Sequence, residues 1–190
     1  MVAYSFVLCL LPREVAVKQV FLTSGPRGGG KSTYVEELCR RRPDLTLVSR
    51  DQVMLELFGT VWFGAYSGGA DHDRGMQEVW RRLEVALKPE GACVVFDCWN
   101  GFPADRRWLI EKLRELGADQ VICLQFFVSV ETCVRWYMRK PEQVRGGLSE
   151  SSIRCDYRLY YGQAQSIGQD GFDHVIEVRP EEPELFDLIP

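Results

Sequence analysis

The chain has 190 residues, of which 46% are hydrophobic and 26% are charged, and its formal net charge is −4. These totals predict one soluble globular domain that can bury a full hydrophobic core. The negative charge argues against a protein whose whole surface is a polycation for duplex nucleic acid, and it leaves room only for a local basic groove.

The cysteines and the amino-terminal segment both favour a cytoplasmic protein. The seven cysteines are odd in number and no pair has CxxC spacing, so we expect most of them to be small, buried and reduced. The apolar run at residues 2–11 is too short to cross a bilayer, and it lacks the basic start and the cleavage site of a signal peptide. We therefore expect residues 1–17 to be an extra edge strand or packing segment, and we predict no membrane partner.

Alternating strand and helix patterns run along the chain. Short apolar, β-branched runs predict the strands, and apolar residues at helical spacing predict the helices between them. This alternation predicts a single α/β domain over residues 1–190, built on a parallel five-stranded sheet with helices on both faces. The predicted strands are 18–23, 45–49, 92–97, 120–128 and 174–178, the predicted helices are 31–42, one starting at or after 51, 71–88, 103–116, 130–140 and 150–165, and residues 179–190 form an acidic tail.

The segment from Gly25 to Ser32, called the phosphate loop below, matches the pattern GxxxxGK[ST] between the first predicted strand and the first predicted helix. Its glycines let backbone N–H groups point at phosphate oxygens, and the helix adds the positive end of its dipole. Lys31 is expected to reach the β- and γ-phosphates, and the Ser32 hydroxyl to ligate Mg²⁺. We therefore predict that ATP, or another nucleoside triphosphate, binds with Mg²⁺. The residues expected to hold them are Gly25, Pro26, Arg27, Gly28, Gly29, Gly30, Lys31, Ser32 and Thr33.

Two carboxylates follow strands beside this loop, at the sheet edge where ligands bind in open α/β folds. Asp97 ends the third strand, in the pattern of an acid that holds Mg²⁺; the alternative is a helix cap or a solvated carboxylate. Asp51 follows the second strand, where it either caps the next helix or accepts a proton from an acceptor hydroxyl.

Basic residues cluster after the fourth strand. Arg135 and Arg139 are four residues apart on a predicted helix and so share one face. Residues 139–151 form a polar, glycine-containing loop with Lys140 and Arg145, which we expect to act as a lid. Cationic loops that close on a triphosphate supply the charge that a transferring phosphoryl group demands. A solvated basic face is the alternative.

Together these residues resemble the P-loop kinase domain of phage and bacterial polynucleotide 5′-hydroxyl kinases and their small AAA-type relatives. The resemblance covers roughly residues 19–178, and it implies an adenylate kinase-like fold with a helical lid. The elements that coincide in order are the phosphate loop, Arg50-Asp51, Asp97 with Asn100 and Arg106-Arg107, Arg135 with Arg139, and the helix beginning near Glu150.

The resemblance also implies a role for each residue. Asp51 would be the general base that activates the 5′-hydroxyl of the acceptor, and Asp97 would support the acceptor or the metal. Arg135 and Arg139 would clamp the donor phosphates together with Lys31. The residues expected to lie beside the acceptor are Arg50, Asp51, Asp97 and, from its position at the edge of the sheet, Trp99.

The sequence departs from this family at the acceptor side. Met54 stands three residues after Asp51, where polynucleotide kinases have an arginine for the acceptor's 3′-phosphate. The segment after Asp97 is one residue longer than the family pattern, and it inserts Trp99. The aromatic residues near these positions are expected either to stack on bases or to pack the core and lid. They are Trp62, Phe63, Tyr66 and Trp99.

The predicted function is ATP-dependent transfer of the γ-phosphate to a hydroxyl, foremost the 5′-hydroxyl of a single-stranded nucleic acid. A kinase for a small nucleoside, sugar or antibiotic is the first alternative, supported by the acidic charge and Met54. A nucleotide-binding ATPase that acts as a switch module is the second alternative, and Asp51, which a switch does not need, argues against it.

Overall fold

Five parallel strands form the central sheet of the computed structural model, which describes residues 16–62 and 69–180. Numbered along the chain, the strands lie in the order β2-β3-β1-β4-β5. Every neighbouring pair is parallel, which confirms the predicted α/β architecture. The strands are β1 (Gln19–Ser24), β2 (Leu45–Ser49), β3 (Cys93–Asp97), β4 (Gln120–Phe126) and β5 (His174–Val178).

Helices connect the strands, close to the positions predicted from the sequence. The exception is a one-turn helix, α6, in a segment predicted as a polar loop. Glu142 and Arg145 pair across that turn, and Gly146 ends it with a φ of 60°. The helices are α1 (Lys31–Arg41), α2 (Arg50–Phe58), α3 (Ala70–Ala86), α4 (Pro103–Glu115), α5 (Val130–Met138), α6 (Glu142–Arg145) and α7 (Glu150–Ala164), with a 3₁₀ turn at Ile167–Gln169.

Both faces of the sheet are covered, because successive strand residues point to opposite sides. On one face, Val20 and Leu22 of β1 pack with apolar residues of α3 and α4. On the other face, Phe21 packs with the buried side of α1. These two cores fix the carboxyl ends of the strands, where the site residues lie. No helix within the two described ranges is long and apolar enough to cross a membrane.

The cysteines are less buried than the sequence predicts, because some occupy the ends of their apolar runs. Cys93, for example, is the first residue of β3 and is half-buried. The prediction that most cysteines are buried is therefore wrong for the described part of the chain. Cys123 and Cys133 are buried, Cys39, Cys93 and Cys98 are half-buried and Cys155 is exposed. Within the described part of the chain none of these six forms a disulfide, and Cys9 lies outside the described residues.

Candidate active site

The phosphate loop joins the buried end of β1 to the start of α1. Gly28 and Gly30 have φ angles of 76° and 77°, in the left-handed region that favours glycine. A Cβ atom at Gly28 would lie 2.3 Å from the backbone oxygen of Cys133, so the loop packs directly on α5. The N–H groups in the first turn of α1 lack helical partners and carry the positive end of the helix dipole. The loop therefore offers a backbone site for anionic oxygens.

Lys31 lies within the curve of this loop. Its Nζ donates hydrogen bonds to the carbonyl oxygens of Gly25 and Pro26, at 3.0 and 3.1 Å. The same Nζ lies 5.9 Å from the centroid of the Trp99 ring. These contacts hold the ammonium group against the first carbonyls of the phosphate loop.

Several charged side chains act on the Lys31 ammonium. Burial lowers its pKa most, and the negative charge of Asp97 is the largest effect that opposes this. Lys140 and Arg27 add to the lowering, and Asp51 opposes it. Because such effects fall with distance, both carboxylates predicted from the sequence lie near Lys31.

Asp97 is buried at the end of β3 and joined to the phosphate loop. Its Oδ2 accepts a 2.7 Å hydrogen bond from Ser32 Oγ, and its Oδ1 accepts a 2.8 Å hydrogen bond from Thr23 Oγ1. Asn100 donates its amide to the carbonyl of Thr23 at 2.7 Å, while its buried Oδ1 has no partner among the described residues. A carboxylate beside a hydroxyl is a donor set that suits Mg²⁺ held partly by substrate phosphates. Ser32 and Asp97 therefore fit the predicted metal.

Asp51 is the second residue of α2 and is not the cap of that helix. Ser49 is the N-cap, and its hydroxyl accepts from the backbone N–H of Gln52 at 3.4 Å. The Asp51 side chain is 50% exposed, and its Oδ1 accepts a 2.7 Å hydrogen bond from Arg50 Nη1. The capping alternative is therefore wrong, and the carboxylate is open to solvent beside the phosphate loop.

A cavity of about 670 Å³ lies on the α5 side of the phosphate loop. Arg139 and Lys140 line it, whereas Arg135 is exposed and donates to Thr132 Oγ1 at 3.1 Å. Of the two arginines predicted to act together, Arg139 lines this cavity and Arg135 does not. The lining residues are Gly28, Gly29, Gly30, Lys31, Ser32, Thr33, Tyr34, Glu37, Trp136, Arg139, Lys140, Pro141 and Pro180.

Arg27 extends from the phosphate loop toward α7, where its Nε donates a 2.6 Å hydrogen bond to Asp156 Oδ2. The guanidinium lies 5.0 Å from the ring centroid of Trp62 and 5.8 Å from that of Trp99. Burial raises the pKa of Tyr137, and a hydrogen bond with Arg27 opposes that shift. Sequence reasoning missed Asp156 and Tyr137, because no motif marks either residue.

Trp62 also joins the segment after α2 to α6. Its indole Nε1 donates a 2.8 Å hydrogen bond to the carbonyl of Val144 in α6. A Cβ atom at Gly146 would lie 2.1 Å from the same Nε1, so the ring packs directly on the backbone at the end of α6. Of the aromatic residues predicted in this segment, Phe63 and Tyr66 lie outside the described residues.

Arg106 is a structural residue rather than a site residue. It is completely buried and pairs with Asp170 at 2.6 Å. Its other donors bind the carbonyls of Asn100, Gly101 and Gln163. The pair fixes the loop after β3 against the turn that precedes β5.

Solved structures share this fold. A chain in the Pnkp1/Rnl/Hen1 RNA repair complex superposes with a TM-score of 0.68 at 19% identity, over 82% of this chain and 48% of that one. The present chain thus spans about half of that chain's length. Shikimate kinase from Acinetobacter baumannii in complex with shikimate superposes with a TM-score of 0.59 at 17% identity, over 92% of both chains. A tunicamycin resistance protein from Deinococcus radiodurans gives a TM-score of 0.53 at 15% identity, over 84% of this chain and 86% of that one.

Sequence comparison defines the family. No curated protein sequence matches the chain. One protein family, described as the AAA domain, matches residues 20–152, which include the phosphate loop, Asp51, Asp97 and the start of α7. Because that match covers more than half of the sequence, the chain belongs to the AAA domain family.

Proposed function

We propose that the protein is a kinase that transfers the γ-phosphate of ATP to a hydroxyl group, with the 5′-hydroxyl of a polynucleotide as the favoured acceptor. The observation that carries this proposal is the convergence of Lys31, Asp97 and Asp51 at one edge of the sheet. Ser32, next to Lys31, donates a hydrogen bond to Asp97, and the β2 residue that pairs with Asp97 lies two positions before Asp51. A loop for phosphates, a buried acid for metal and an accessible carboxylate are the parts that phosphoryl transfer needs.

In this mechanism, Asp51 accepts the proton of the acceptor hydroxyl as that oxygen attacks the γ-phosphorus. The bond between the γ-phosphorus and the oxygen that bridges it to the β-phosphate breaks. ADP then leaves, and Lys31 stabilises its negative charge. Ser32 and Asp97 would hold Mg²⁺, which neutralises charge on phosphate oxygens when bound. Arg139 and Lys140, which line the cavity, face the donor from the lid side.

The polynucleotide acceptor is supported by the resemblance of the site and by an exposed aromatic residue. Trp99 is 37% exposed at the carboxyl edge of the sheet, where a base could stack on it. One solved structure with the same fold belongs to an RNA repair complex. These observations support an acceptor on the side of the phosphate loop that carries Asp51.

A small-molecule kinase is the second candidate, and one observation favours it. Met54, at the position where polynucleotide kinases have an arginine, is completely buried, so it offers the acceptor no contact. One solved structure with the same fold is a shikimate kinase holding its substrate.

Transfer of label from γ-labelled ATP separates these candidates. Purified protein with Mg²⁺ is offered 5′-hydroxyl DNA and RNA oligonucleotides beside a panel of nucleosides and sugars. We expect transfer to the oligonucleotides, with a strong dependence on salt because phosphates are contacted. Label on a small alcohol alone would select the second candidate, and label on none of them would refute kinase activity.

Asp51→Asn tests the general base. We expect transfer to fall by roughly 10²–10⁴, the usual range for general-base help, while ATP still binds. Asp105→Asn, in the exposed first turn of α4, is the matched control. A switch ATPase would keep its nucleotide turnover in the Asp51 variant, and transfer at the wild-type rate would remove Asp51 from the mechanism.

A further inference from the structure

The cavity on the α5 side of the phosphate loop continues along α1 beyond the loop. Thr33, Tyr34 and Glu37 of that helix all line it. Thr33 and Glu37 are four residues apart, so they lie on one helical face, about 6 Å apart along the axis. Neither Asp51 nor Asp97 is among the described residues that line the cavity. The cavity therefore suits the part of the donor nucleotide that lies beyond its phosphates.

The residues that line the cavity from outside α1 include an aromatic ring and two prolines. A Cβ atom at Gly30 would lie 2.8 Å from the ring of Trp136 and 3.6 Å from Cγ of Pro180, and Pro141 adds to this apolar surface. The cavity volume of about 670 Å³ falls within the range of about 300–1,000 Å³ that small-molecule sites have. A nucleobase can stack on such a surface, whereas the sugar of a nucleotide needs polar partners.

Glu37 is the one carboxylate among the described residues that line the cavity. Its Oε2 accepts a 2.7 Å hydrogen bond from Arg40 Nε, and its Oε1 accepts from Arg40 Nη2 at 2.6 Å and from Arg41 Nε at 2.7 Å. These hydrogen bonds lower the pKa of Glu37 to about 2, so the group is ionised at neutral pH. An ionised carboxylate has about four acceptor sites, so this one can accept further hydrogen bonds.

The charge of Glu37 decides which part of a nucleotide it can bind. The carboxylate repels the donor phosphates, which instead match the cations Lys31, Arg139 and Lys140 on the cavity wall. It attracts groups that donate hydrogen bonds, and the sugar is the group next to the α-phosphate in a nucleotide. Acidic side chains accept hydrogen bonds from ribose hydroxyls in dinucleotide-binding folds. One helical turn beyond Thr33, the Glu37 carboxylate is placed for the same contact.

We propose that Glu37 is a specificity-determining residue that binds the ribose hydroxyls of the donor nucleotide. This inference rests on the proposed kinase function and deepens it, because it names the donor class, a ribonucleoside triphosphate. Arg40 and Arg41 act as positioning residues that hold the carboxylate in place.

Binding of nucleoside diphosphates tests this without turnover. Protein with Mg²⁺ is titrated calorimetrically with ADP and, separately, with 2′,3′-dideoxy-ADP, which lacks both sugar hydroxyls. We expect the wild type to prefer ADP by roughly 10-fold, the low end for hydrogen bonds to a charged group, because Glu37 is partly exposed. Glu37→Ala should abolish this preference. The ratio of the two affinities is the readout, because the freed charge of Arg40 acts on both ligands equally.

Glu36→Ala is the matched control. Glu36 is exposed on the same helix and is not among the described residues that line the cavity, so its variant should keep the wild-type preference. If Glu37→Ala does not fold, Glu37→Gln retains the size of the side chain and should still lower the preference, because a neutral amide makes weaker hydrogen bonds.

Three results would overturn the proposal. The first is a wild type that does not distinguish ADP from the dideoxy compound. The second is a Glu37 variant that keeps the wild-type preference. The third is a Glu37 variant that changes the preference for ADP over GDP instead, since that result would assign the carboxylate to the base.

Transfer assays with ATP and 2′,3′-dideoxy-ATP as donors separate this proposal from the kinase function. Transfer from both donors with equal efficiency would refute the role of Glu37 and leave kinase activity standing. A preference for ADP in binding that depends on Glu37, without phosphate transfer from ATP to any acceptor offered, would refute the kinase function and retain the sugar site.

Discussion

Ser32 Oγ donates a 2.7 Å hydrogen bond to Asp97 Oδ2, which joins the first turn of α1 to the end of β3. The same carboxylate accepts from Thr23 at its other oxygen, so both of its oxygens are engaged by neutral hydroxyls. A metal ion that binds here would replace a hydroxyl proton as the partner of Asp97. This contact therefore holds the two proposed metal ligands together before a metal binds.

Asp97→Asn should uncouple ATP binding from Mg²⁺. The amide has one acceptor oxygen and no charge, so it cannot serve both hydroxyls and a cation. We expect ATP affinity in Mg²⁺ to fall by roughly 10- to 100-fold, given about 1.5–3 kcal/mol for a hydrogen bond to a charged group. Affinity in EDTA should change little. Calorimetric titration in both buffers measures this, with Asp44→Asn, an exposed residue before β2, as the control. Unchanged Mg²⁺ dependence would exclude Asp97 as a ligand.

Lys31→Met should stabilise the nucleotide-free protein at neutral pH. Burial lowers the folded-state pKa of Lys31 below its ordinary value of 10.5, so the unfolded chain binds more protons between those two values. The ionisation of Lys31 therefore makes the free energy of unfolding rise with pH in that window. Below the folded-state pKa, the full energetic cost of burying the ammonium is present. Lys31→Met lacks this cost, so its free energy of unfolding should exceed that of the wild type at neutral pH. The difference should shrink as the pH approaches 10.5.

Thermal unfolding of both proteins from pH 7 to pH 10.5 measures this difference. ATP with Mg²⁺ should raise the melting temperature of the wild type and leave that of Lys31→Met nearly unchanged, because the phosphate contact is gone. Lys88→Met, at an exposed position after α3, is the control. A variant that melts below the wild type at pH 7 would contradict the prediction.

Local sequence signals sufficed for the sheet and for the phosphate loop. Each strand is a short run rich in apolar and β-branched residues, and glycines with the Lys31-Ser32 pair mark the turn between β1 and α1. Asp97 was predictable because it ends such a run at the edge where ligands bind. The N-cap residue of α2 could not be predicted, because Ser49 and Asp51 are both favourable N-cap residues. Only the backbone geometry identifies Ser49 as the cap.

Contacts between distant segments could not be predicted. Arg27 and Asp156 are 129 residues apart in the chain, and Trp62 and Val144 are 82 apart. No spacing rule links such residues, because their meeting depends on how α7 and α6 pack against the loop. Arg135 and Arg139 show the same limit. Helical spacing predicted that they share one face, but it did not decide which of them lines the cavity.

Trp62→Phe should make the segment around α6 more mobile while leaving the packing of the aromatic ring in place. The substitution removes the donor to the Val144 carbonyl, which keeps a weaker contact from the Tyr137 hydroxyl at 3.3 Å. With about 0.5–1.5 kcal/mol for a neutral hydrogen bond, amide exchange over residues 142–148 should accelerate by a factor of roughly 2 to 10. Hydrogen-exchange mass spectrometry measures this, with the exposed Trp108→Phe as control. Equal acceleration in both variants would argue against a specific tie.

Gly28→Ala should lower the stability of the protein by more than backbone strain alone, because it should also displace the phosphate loop. An alanine there would have a left-handed φ of 76° and a Cβ 2.3 Å from the Cys133 carbonyl oxygen, so α5 or the loop must move. Gly117→Ala is the matched control, because its φ is 96° but open space surrounds the new methyl group. The strain alone is worth about 1–2 kcal/mol at either position.

Thermal melts and ATP titrations of the two alanine variants separate strain from displacement. We expect Gly28→Ala to melt at a lower temperature than Gly117→Ala and to bind ATP more weakly, because the moved loop no longer directs its N–H groups at the phosphates. Gly117→Ala should keep the wild-type affinity for ATP, since its turn lies between α4 and β4 at the opposite end of the sheet's strands. Equal melting temperatures with unchanged ATP affinity in both variants would show that contact with α5 does not shape the phosphate site.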